Sequence, residues 1–394
     1  MAKNAAPDLQ KAYEILERLV SYRSVSTSSN LDLVDFVQSY LSGLDVPSTR
    51  VLDPTGRKAS LFASIGPDVP GGTILSGHTD VVTTDGQSWT FDPWKLTEHQ
   101  GRLYGRGTCD MKGFCALVLS LVPAMQQANL ERPLQIALSY DEEIGCFGAL
   151  PMIAKMRAEL PLAANVIVGE PTLLRPVNGH KGTLALLTRL RGVEVHSARC
   201  DLGVSAVMNA AKLLSWLDNA MTTNSRQIAA LQVELADYEP PYTTLHVGKI
   251  TGGTAANITA RKCSFTTDIR VVPGESIDTW FDRYMVVVRE VESSMRAVSP
   301  EASISVNVLA RVPGCVPEPE GPAEALVRRL THVETAGKVG FASEAGLFQE
   351  AGYSAVICGP GSIEQAHQQD EYVSRDQFVR GYQFLEDLIA SQTH

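Results

Sequence analysis

The apolar positions in the first half of the chain alternate between helical and strand-like spacing. Apolar residues recur every three or four positions over 9–22 and 31–44, which predicts two amphipathic helices. The apolar run 113–122 predicts a buried helix that stops at Pro123. Four apolar runs of strand length lie at 60–65, 73–76, 134–139 and 165–168. Strands that alternate with helices predict an α/β domain built on a covered sheet.

A different order of elements begins near Gly182. The spacing predicts, in chain order, a strand at 183–191, a helix at 203–219, strands at 244–250 and 262–271, a helix at 276–297 and a strand at 302–309. This β-α-β-β-α-β order is that of a ferredoxin-like α+β domain. We therefore predict a main domain in two parts, 1–181 and 313–394, with a second domain inserted at 182–312.

The main domain resumes near Pro313, where a segment rich in proline and glycine, from Pro313 to Pro322, marks a linker. Beyond this linker, the spacing predicts a helix over 323–337 that stops at Gly337, and a closing helix over 378–391. The predicted fold is thus α/β, with a covered mixed sheet in the main domain and a ferredoxin-like α+β insertion.

Composition and charge narrow the classes of function. The chain has 394 residues, of which 44% are hydrophobic and 20% charged, and these ordinary globular values exclude disorder as the main state. It carries 34 Lys and Arg against 44 Asp and Glu, for a formal charge of −10. An acidic balance argues against nucleic acid or an anionic membrane as a partner, since both need a basic surface. It is compatible with cationic substrates and metal ions.

Targeting signals and cysteine usage point to the cytoplasm. The longest apolar runs, 116–122 and 284–288, are far shorter than the ~20 residues of a membrane span. The first ten residues lack the basic and then apolar pattern of a signal peptide. The seven cysteines are scattered and form no Cys-x-x-Cys, which favours reduced thiols. We expect a soluble cytoplasmic protein.

Candidate chemistry appears at the ends of the predicted strands. Acidic or imidazole side chains directly follow three of the four runs: His78, Asp80, Asp141, Glu142, Glu143 and Glu170. Ligands of open α/β sheets bind beyond the carboxyl ends of the strands. Carboxylates gathered there repel one another unless a cation neutralises them. Imidazole and carboxylate without thiolate suits zinc, cobalt or manganese at a hydrolytic site.

Each of these signals, taken alone, has an ordinary structural explanation. A His-x-Asp triplet is commonly structural, a Glu-Glu pair is commonly a solvated helix turn, and Glu170 before Pro171 could cap a loop. His367, in the run Gln-Ala-His-Gln, is by itself typical of a surface histidine. It is their joint occurrence at strand ends that favours a metal site.

Several motifs together resemble those of the co-catalytic zinc aminoacylase, deacetylase and carboxypeptidase family. The run Ser76–Val82, which reads Ser-Gly-His-Thr-Asp-Val-Val, resembles the first family signature. Further matches are Asp92-Pro93-Trp94, Leu103–Gly113, Asp141-Glu142-Glu143, Gly169–Thr172 and the segment around His367. The resemblance extends from about Leu9 to the C-terminus. It implies a catalytic domain with a co-catalytic metal site, and an inserted domain that serves as lid and dimerisation domain.

The resemblance implies two divalent metal ions, zinc above all and cobalt as the alternative. His78, Asp110 and Glu170 would hold one ion, and Asp110, Glu143 and His367 would hold the other, so that Asp110 bridges. Each ion would have about three protein ligands, with water completing its coordination.

Three more expectations come from the same resemblance. Asp80 would fix the ring of His78 through the second ring nitrogen, and such contacts orient a ligand and raise its basicity. Glu142 would be the general base, taking a proton from a metal-bridging water and passing it to the leaving amine. The peptide bond between Asp110 and Met111 would be cis, as in the family.

The inserted domain would supply substrate-binding groups. By resemblance, Arg270 would bind the substrate α-carboxylate through its guanidinium, and Asn257 would help to orient the substrate. His196 would donate to the oxyanion of the tetrahedral intermediate, and Lys181 would also contact the carboxylate. Arg270 as a strand ion pair and His196 as a loop histidine are the structural alternatives. In dimeric relatives the histidine comes from the neighbouring subunit, so monomer and homodimer both stay open.

Within the family, the run Cys358–Tyr372 is most similar to the branch that removes acetate from N2-acetyl-L-ornithine in arginine biosynthesis. Glu344 would then bind the distal ammonium of the substrate, unless it only caps a helix. Cys109 and Val195 depart from the usual pattern but occupy no metal position. The alternative is another N-acyl-amino-acid amidohydrolase: an aminoacylase, a carbamoylase, a desuccinylase or a dipeptidase. A serine hydrolase is disfavoured because the chain has no Gly-x-Ser-x-Gly elbow.

Overall fold

The computed structural model describes residues 9–228, 237–318 and 320–393, which fall into two compact units. Unit 2 comprises His180–Gly314 and Lys338–Ala342. Unit 1 comprises the described residues up to Gly179, Cys315–Gly337, and those from Ser343 onward. The predicted insertion, 182–312, lies within the first segment of unit 2, whereas the grouping of Lys338–Ala342 with this unit has no counterpart in the prediction.

The described residues form the following helices and strands. The α-helices are α1 (Gln10–Ser21), α2 (Leu31–Ser42), α3 (Lys112–Ser120), α4 (Val122–Gln127), α5 (Ala149–Glu159), α6 (Ala206–Ile228), α7 (Ile277–Val298), α8 (Pro322–Thr331), α9 (Ala345–Glu350) and α10 (Arg375–Ser391). The strands are β1 (Ser48–Leu52), β2 (Ala59–Ile65), β3 (Thr73–His78), β4 (Thr97–His99), β5 (Arg102–Tyr104), β6 (Leu134–Ser139), β7 (Asn165–Pro171), β8 (Val177–His180), β9 (Gly182–Arg191), β10 (Thr244–Gly252), β11 (Lys262–Val271), β12 (Ser303–Val312), β13 (Gly337–Val339), β14 (Ser354–Gly359) and β15 (Tyr372–Ser374).

The largest sheet is mixed, as predicted. Its strand order is β1-β2-β6-β3-β7-β14-β8-β13. The four central strands, β6, β3, β7 and β14, run parallel, whereas β1, β2 and β8 pair antiparallel. Every residue of β3, β6 and β7 is buried, as expected for strands covered on both faces. Helices α2 and α5 pack against β2, α3 against β3, and α8 and α9 against β14.

Helix α3 is the centre of the core of unit 1. All of its residues from Lys112 to Ser120 are buried, which matches its nearly continuous apolar sequence. It lies close to β7 because Gly169 has no side chain, since a Cβ there would lie 2.1 Å from the ring of Phe114. Helix α3 also packs against α1 and α10. The start of this helix is therefore held rigidly beside the central parallel strands.

Unit 2 has the predicted ferredoxin-like architecture. Its four strands pair antiparallel throughout in the order β10-β11-β9-β12. Helices α6 and α7 pack on this sheet, and a separate core includes Leu186, Leu213, Phe265 and Trp280. The order β9-α6-β10-β11-α7-β12 confirms the β-α-β-β-α-β prediction.

Three predicted features of the fold were wrong or missing. Pro123 does not end a helix but lies in the first turn of α4, where its missing N–H costs nothing. Helix α8 ends at Thr331 rather than near Gly337, because His332 takes a left-handed conformation with φ 55°. Strand β14, helix α5 and a small sheet of the order β15-β5-β4 were not among the predicted elements.

Two further observations concern thiols and membranes. All seven cysteines are free, as predicted, and only Cys200 among them is exposed. Within the residues described, no helix combines the length and the apolarity that crossing a bilayer requires.

Truncating the centre of α3 should destabilise unit 1. Leu117 is fully buried in α3, so Leu117→Ala is expected to lower the free energy of unfolding by about 2–5 kcal/mol. Leu150, in helix α5, is 58% exposed, and Leu150→Ala is the matched control, with an expected change of about 0.5 kcal/mol or less. Urea unfolding followed by circular dichroism would measure both changes. Equal losses in the two variants would contradict the central position of α3.

Candidate metal centre

Parallel strands of unit 1 bring the predicted chemical groups to one edge of the sheet. His78 is the last residue of β3, and Glu170 lies near the end of β7. The turn with Glu142 and Glu143 follows β6, and His367 comes after β14. Because these four strands are parallel neighbours, their carboxyl ends meet at the same edge.

The first cluster consists of His78, Asp110 and Glu170. Nε2 of His78 lies 2.9 Å from Oδ1 of Asp110 and 3.8 Å from Oε1 of Glu170. One ligand atom from each of the three lies within 4.8 Å of the other two, and all three residues are buried. This compact set of one imidazole and two carboxylates is suited to a divalent ion.

The second cluster consists of Asp110, Glu143 and His367. Nε2 of His367 lies 2.8 Å from Oε2 of Glu143 and 3.3 Å from Oδ2 of Asp110. The ligand atoms again lie within 4.8 Å of one another. Asp110 belongs to both clusters, with one carboxylate oxygen toward each imidazole. The peptide bond that follows it, Asp110–Met111, is cis, as predicted.

Asp80 lies where expected but makes different contacts. Nδ1 of His78 is 2.9 Å from the backbone oxygen of Asp80 and 3.6 Å from its carboxylate, so the carbonyl is the nearer partner. The Asp80 carboxylate accepts hydrogen bonds from the hydroxyl of Ser26 at 2.6 Å and from the amides of Glu142 and Glu143 at 3.1 and 3.4 Å. It therefore holds the turn that carries both glutamates, a role that the sequence did not reveal.

Glu142 differs from its neighbour Glu143 because it belongs to neither cluster of potential metal ligands. Its Oε1 lies 3.5 Å from the thiol of Cys146, which donates to it. Burial, together with the charge of Glu170, raises the pKa of Glu142 well above its ordinary value. A partly buried carboxylate of raised pKa beside candidate metal ligands is suited to proton transfer.

The electrostatics of the clusters test whether metal ions fit. Burial, followed by the charge of Asp110, raises the pKa of Glu170 well above its ordinary range and that of Glu143 to about 7. For Asp110, burial also acts to raise the pKa, but hydrogen bonds from His367 and His78 outweigh it and hold the pKa low.

The two imidazoles of the clusters have raised pKa values, which favour their protonated, positively charged forms. Hydrogen bonds to Asp110 and Glu143 raise the pKa of His367 to about 10. The ion pairs of the clustered side chains join an imidazole to a carboxylate in each case. A divalent cation would replace those protons and neutralise the carboxylates, so the donor set fits two such ions.

Four of the five groups expected to bind substrate lie in unit 2, and the fifth, Glu344, lies in unit 1. His196 caps the 3₁₀ helix Ser197–Leu202, with its Nδ1 accepting the amide of Ala198 at 3.1 Å, and its backbone bridges to Ile258. Ser197 donates its amide to the backbone oxygen of Asn257 at 2.9 Å. Unit 2 thus brings His196 and Asn257 together, and both are exposed.

Arg270 and Lys181 are engaged in local contacts. Arg270 donates through Nε to Asp268 at 3.0 Å and through Nη1 to Thr183 at 2.9 Å. Lys181 is buried and donates to the backbone oxygens of Pro240 and Tyr242 at 2.5 and 3.1 Å. Burial, followed by the charge of Arg270, lowers the pKa of Lys181 to about 8. Both side chains therefore already make hydrogen bonds within the protein.

The structure gives no support to Glu344 as the partner of a substrate ammonium. This residue is 1% exposed, and its carboxylate accepts hydrogen bonds from the hydroxyls of Ser76, at 3.0 Å, and Ser139. Its backbone begins helix α9, but the side chain does not cap that helix. Burial raises its pKa to about 7. Glu344 therefore connects β3 to β6 through hydrogen bonds to Ser76 and Ser139.

Glu371 is a further residue at the site for which the sequence indicated no role. It is buried, and its carboxylate accepts hydrogen bonds from the amides of Gly107, Cys109 and Asp110 and from Arg106. The sequence offered one signal, namely that Glu371 lies within the run Cys358–Tyr372, where the resemblance to the family is strong. Neither periodicity nor spacing relates it to Asp110.

Comparisons with known proteins identify the family of this chain. The model of the family described as "Peptidase family M20/M25/M40" matches residues 74–391. An acetylornithine deacetylase of Myxococcus xanthus is 35% identical and covers 95% of this chain and 96% of its own length. One from Proteus mirabilis (strain HI4320) is 33% identical and covers 91% of each chain. In fold, the M20 family metallo-carboxypeptidase Sso-CP2 from Sulfolobus solfataricus is similar, with a TM-score of 0.74, 18% identity and coverage of 96% and 98%.

The fold and the two clusters thus define a metal-dependent hydrolase. The chain belongs to peptidase family M20/M25/M40, as shown by the family model and by relatives above 30% identity over nearly the whole chain. The resemblance inferred from the motifs is confirmed.

Binding of divalent ions should release protons. At pH 8 the metal-free His367 is protonated, because its pKa is about 10, whereas an imidazole ligand must be neutral. Raising the pH therefore strengthens ion binding, and lowering it weakens binding. Calorimetric titration with Zn²⁺ in two buffers of different ionisation enthalpy would measure the number of protons released. The His367→Ala variant should release fewer, and heats that do not depend on the buffer would contradict the proton count.

Proposed function

We propose that the protein removes acetate from N2-acetyl-L-ornithine, as a step of arginine biosynthesis. The observation that carries this proposal is the sharing of Asp110 between two imidazole–carboxylate clusters, with Glu142 beside them and outside both. Relatives named acetylornithine deacetylase, at 33% and 35% identity over more than nine-tenths of the chain, support the choice of substrate.

The proposed ions are two zinc ions, with cobalt as the alternative. His78, Asp110 and Glu170 would hold one, and Asp110, Glu143 and His367 the other, in keeping with the preference of these metals for imidazole and carboxylate ligands. When bound, two divalent ions polarise the scissile carbonyl and lower the pKa of water. The chain itself provides the positioning of substrate and the transfer of protons.

Glu142 is the proposed general base. It takes a proton from the attacking water and delivers it to the nitrogen of the leaving amine, so that acetate and free ornithine result. Two hydrogen bonds hold Glu142 in position: the thiol of Cys146 donates to its carboxylate, and the backbone N–H of Glu142 donates to Asp80. Asp80 also holds the adjacent Glu143, and its backbone carbonyl orients His78.

Unit 2 carries the proposed substrate groups. Arg270 binds the α-carboxylate through its guanidinium, with Lys181 as a second cation, and Asn257 orients the substrate. His196 donates to the oxyanion as negative charge develops on it. The contact between the His196 segment and Asn257 supports their joint action. The exposed fraction of the His196 side chain leaves it accessible to a ligand.

The proposed location is the cytoplasm. Seven free thiols are typical of proteins from a reducing compartment, where disulfides are rare. Cell fractionation followed by immunoblotting would test this assignment, and recovery of the protein outside the cytoplasmic fraction would contradict it.

A comparison of substrates tests the proposed reaction. We expect the highest kcat/KM for N2-acetyl-L-ornithine among four compounds, the others being N-acetyl-L-methionine, N-succinyl-diaminopimelate and a dipeptide. Release of free amine measured for each, with protein loaded with Zn²⁺ or Co²⁺, would rank them. A higher kcat/KM for any of the other three would reassign the protein to a different amidohydrolase of the family.

Replacement of the general base should separate chemistry from binding. Glu142→Ala is expected to lower kcat by ~10²–10⁴, because proton transfer to and from the reacting groups is lost. Ion content and KM should stay near those of the unchanged protein, since Glu142 belongs to neither ligand cluster. Steady-state kinetics with metal analysis would show both effects, and near-normal turnover would remove Glu142 from the mechanism.

A further inference from the structure

Glu371 holds the backbone of the loop that carries Asp110. Its Oε1 accepts the amides of Cys109 at 2.9 Å and Asp110 at 3.0 Å. Its Oε2 accepts the amide of Gly107 at 2.9 Å and Nη1 of Arg106 at 2.8 Å. Both Glu371 and Arg106 are 1% exposed. Charge-assisted hydrogen bonds in such a buried place are strong, so the loop is fixed relative to Glu371.

Arg106 is also connected to His367, through hydrogen bonds of Gln87. Nη2 of Arg106 donates to Oε1 of Gln87 at 2.6 Å, and Nε2 of Gln87 donates to the backbone oxygen of His367 at 2.9 Å. Trp89 secures this arrangement, because its Nε1 donates to the same Gln87 oxygen at 3.1 Å and its ring lies 5.0 Å from the guanidinium of Arg106. Three residues, Glu371, Arg106 and Gln87, therefore connect Asp110 to His367, the two residues that share the second cluster.

His367 depends on a contact that fixes its backbone, such as the hydrogen bond from Gln87, more than the other candidate ligands do. Its side chain is 51% exposed, so neighbouring side chains hold the imidazole only in part. Its backbone lies in the left-handed region, with φ 61°, which a residue with a Cβ rarely adopts. By contrast, His78 and Glu170 lie on buried strands of the central sheet. A bond to the His367 carbonyl thus fixes the orientation of the residue that carries the ligand.

We propose that Gln87, Arg106 and Glu371 form a hydrogen-bonded bridge that sets the distance between His367 and Asp110 and so determines the affinity of the second ion. This proposal rests on the proposed function, in which two ions are bound. The bridge residues are positioning residues, because they act on ligands and touch neither ion nor substrate. Among the described residues, no hydrogen bond or ion pair joins His78 or Glu170 to Gln87, so the first ion should not depend on Gln87.

The substitution Gln87→Glu removes the hydrogen bond to the His367 carbonyl while keeping a side chain of nearly the same size and shape. Glutamate keeps an acceptor for Arg106 and Trp89 but has no N–H to donate to the His367 carbonyl. We expect the affinity of one of the two ions to fall by ~10–100-fold, as is typical when residues that orient a ligand are changed. The other ion should bind as in the unchanged protein. Gln87→Met, which loses all three side-chain hydrogen bonds of Gln87, should weaken binding of the second ion at least as much.

Gln126 offers a matched control. It is exposed in α4, and its Nε2 donates to the backbone oxygen of Leu44 at 2.7 Å, just as Gln87 donates to that of His367. Gln126→Glu should leave both affinities unchanged. Calorimetric titration of the metal-free full chain with Zn²⁺ would measure the two affinities separately, and thermal unfolding would report the stability of each variant.

The outcomes separate the bridge from the proposed function. If the unchanged protein binds two ions and Gln87→Glu weakens one of them selectively, the bridge is supported. If it binds two and the variant binds both as before, or loses both equally, the bridge is overturned while the proposed function stands. If the unchanged protein binds fewer than two ions, the proposed two-ion function fails and the bridge falls with it.

Discussion

The carboxylate of Asp110 stands between two imidazoles, and the rest of the site depends on this position. Oδ1 lies 2.9 Å from His78, and Oδ2 lies 3.3 Å from His367. One side chain can serve both clusters only if its backbone is fixed in direction as well as in place. The hydrogen bond that the backbone N–H of Asp110 donates to Glu371, and the burial of helix α3, which begins two residues later, provide that fixation.

Gathering so many carboxylates in a buried place has an electrostatic cost that shapes the surrounding residues. Glu142, Glu143, Glu170 and Glu344 all have raised pKa values, chiefly because burial disfavours their charged forms. Protonated imidazoles offset this cost in the absence of ions, and divalent cations would offset it more strongly. The site is therefore unfavourable without positive charge and favourable with it, which accounts for the burial of an acidic cluster in an enzyme.

The sequence predicted those parts of the molecule that follow from periodicity. Strand β6 was predicted with its observed bounds, and the ferredoxin-like order of unit 2 was predicted element by element. The ends of predicted strands also indicated His78 and Glu170 as site residues, because an apolar run that stops at a polar residue marks the edge of a sheet. Asp110 and His367 lie on loops, so only the motif resemblance, not the apolar pattern, pointed to them.

Other features depend on contacts between residues far apart in the chain, and no local pattern encodes them. Gln87 and Glu371 are related through Arg106 alone, and each on its own reads as an ordinary polar residue. Glu344 was expected to face a substrate because it lies in a matching motif. Its burial against Ser76 and Ser139 depends on how helix α9 meets the sheet. The end of α8 likewise depends on the left-handed backbone of His332, which the apolar pattern does not indicate.

The different positions of the adjacent glutamates follow from the turn after β6. Asp141 has a left-handed backbone with φ 55°, and its carboxylate pairs with Lys58 at 2.6 Å, which fixes the start of the turn. Asp80 then accepts the amides of the next two residues, so their backbones cannot rotate independently. With the backbone fixed, Glu143 reaches His367 and Glu142 reaches Cys146. Two identical side chains thus acquire distinct environments: Glu143 belongs to a cluster of candidate ligands, and Glu142 lies outside both clusters.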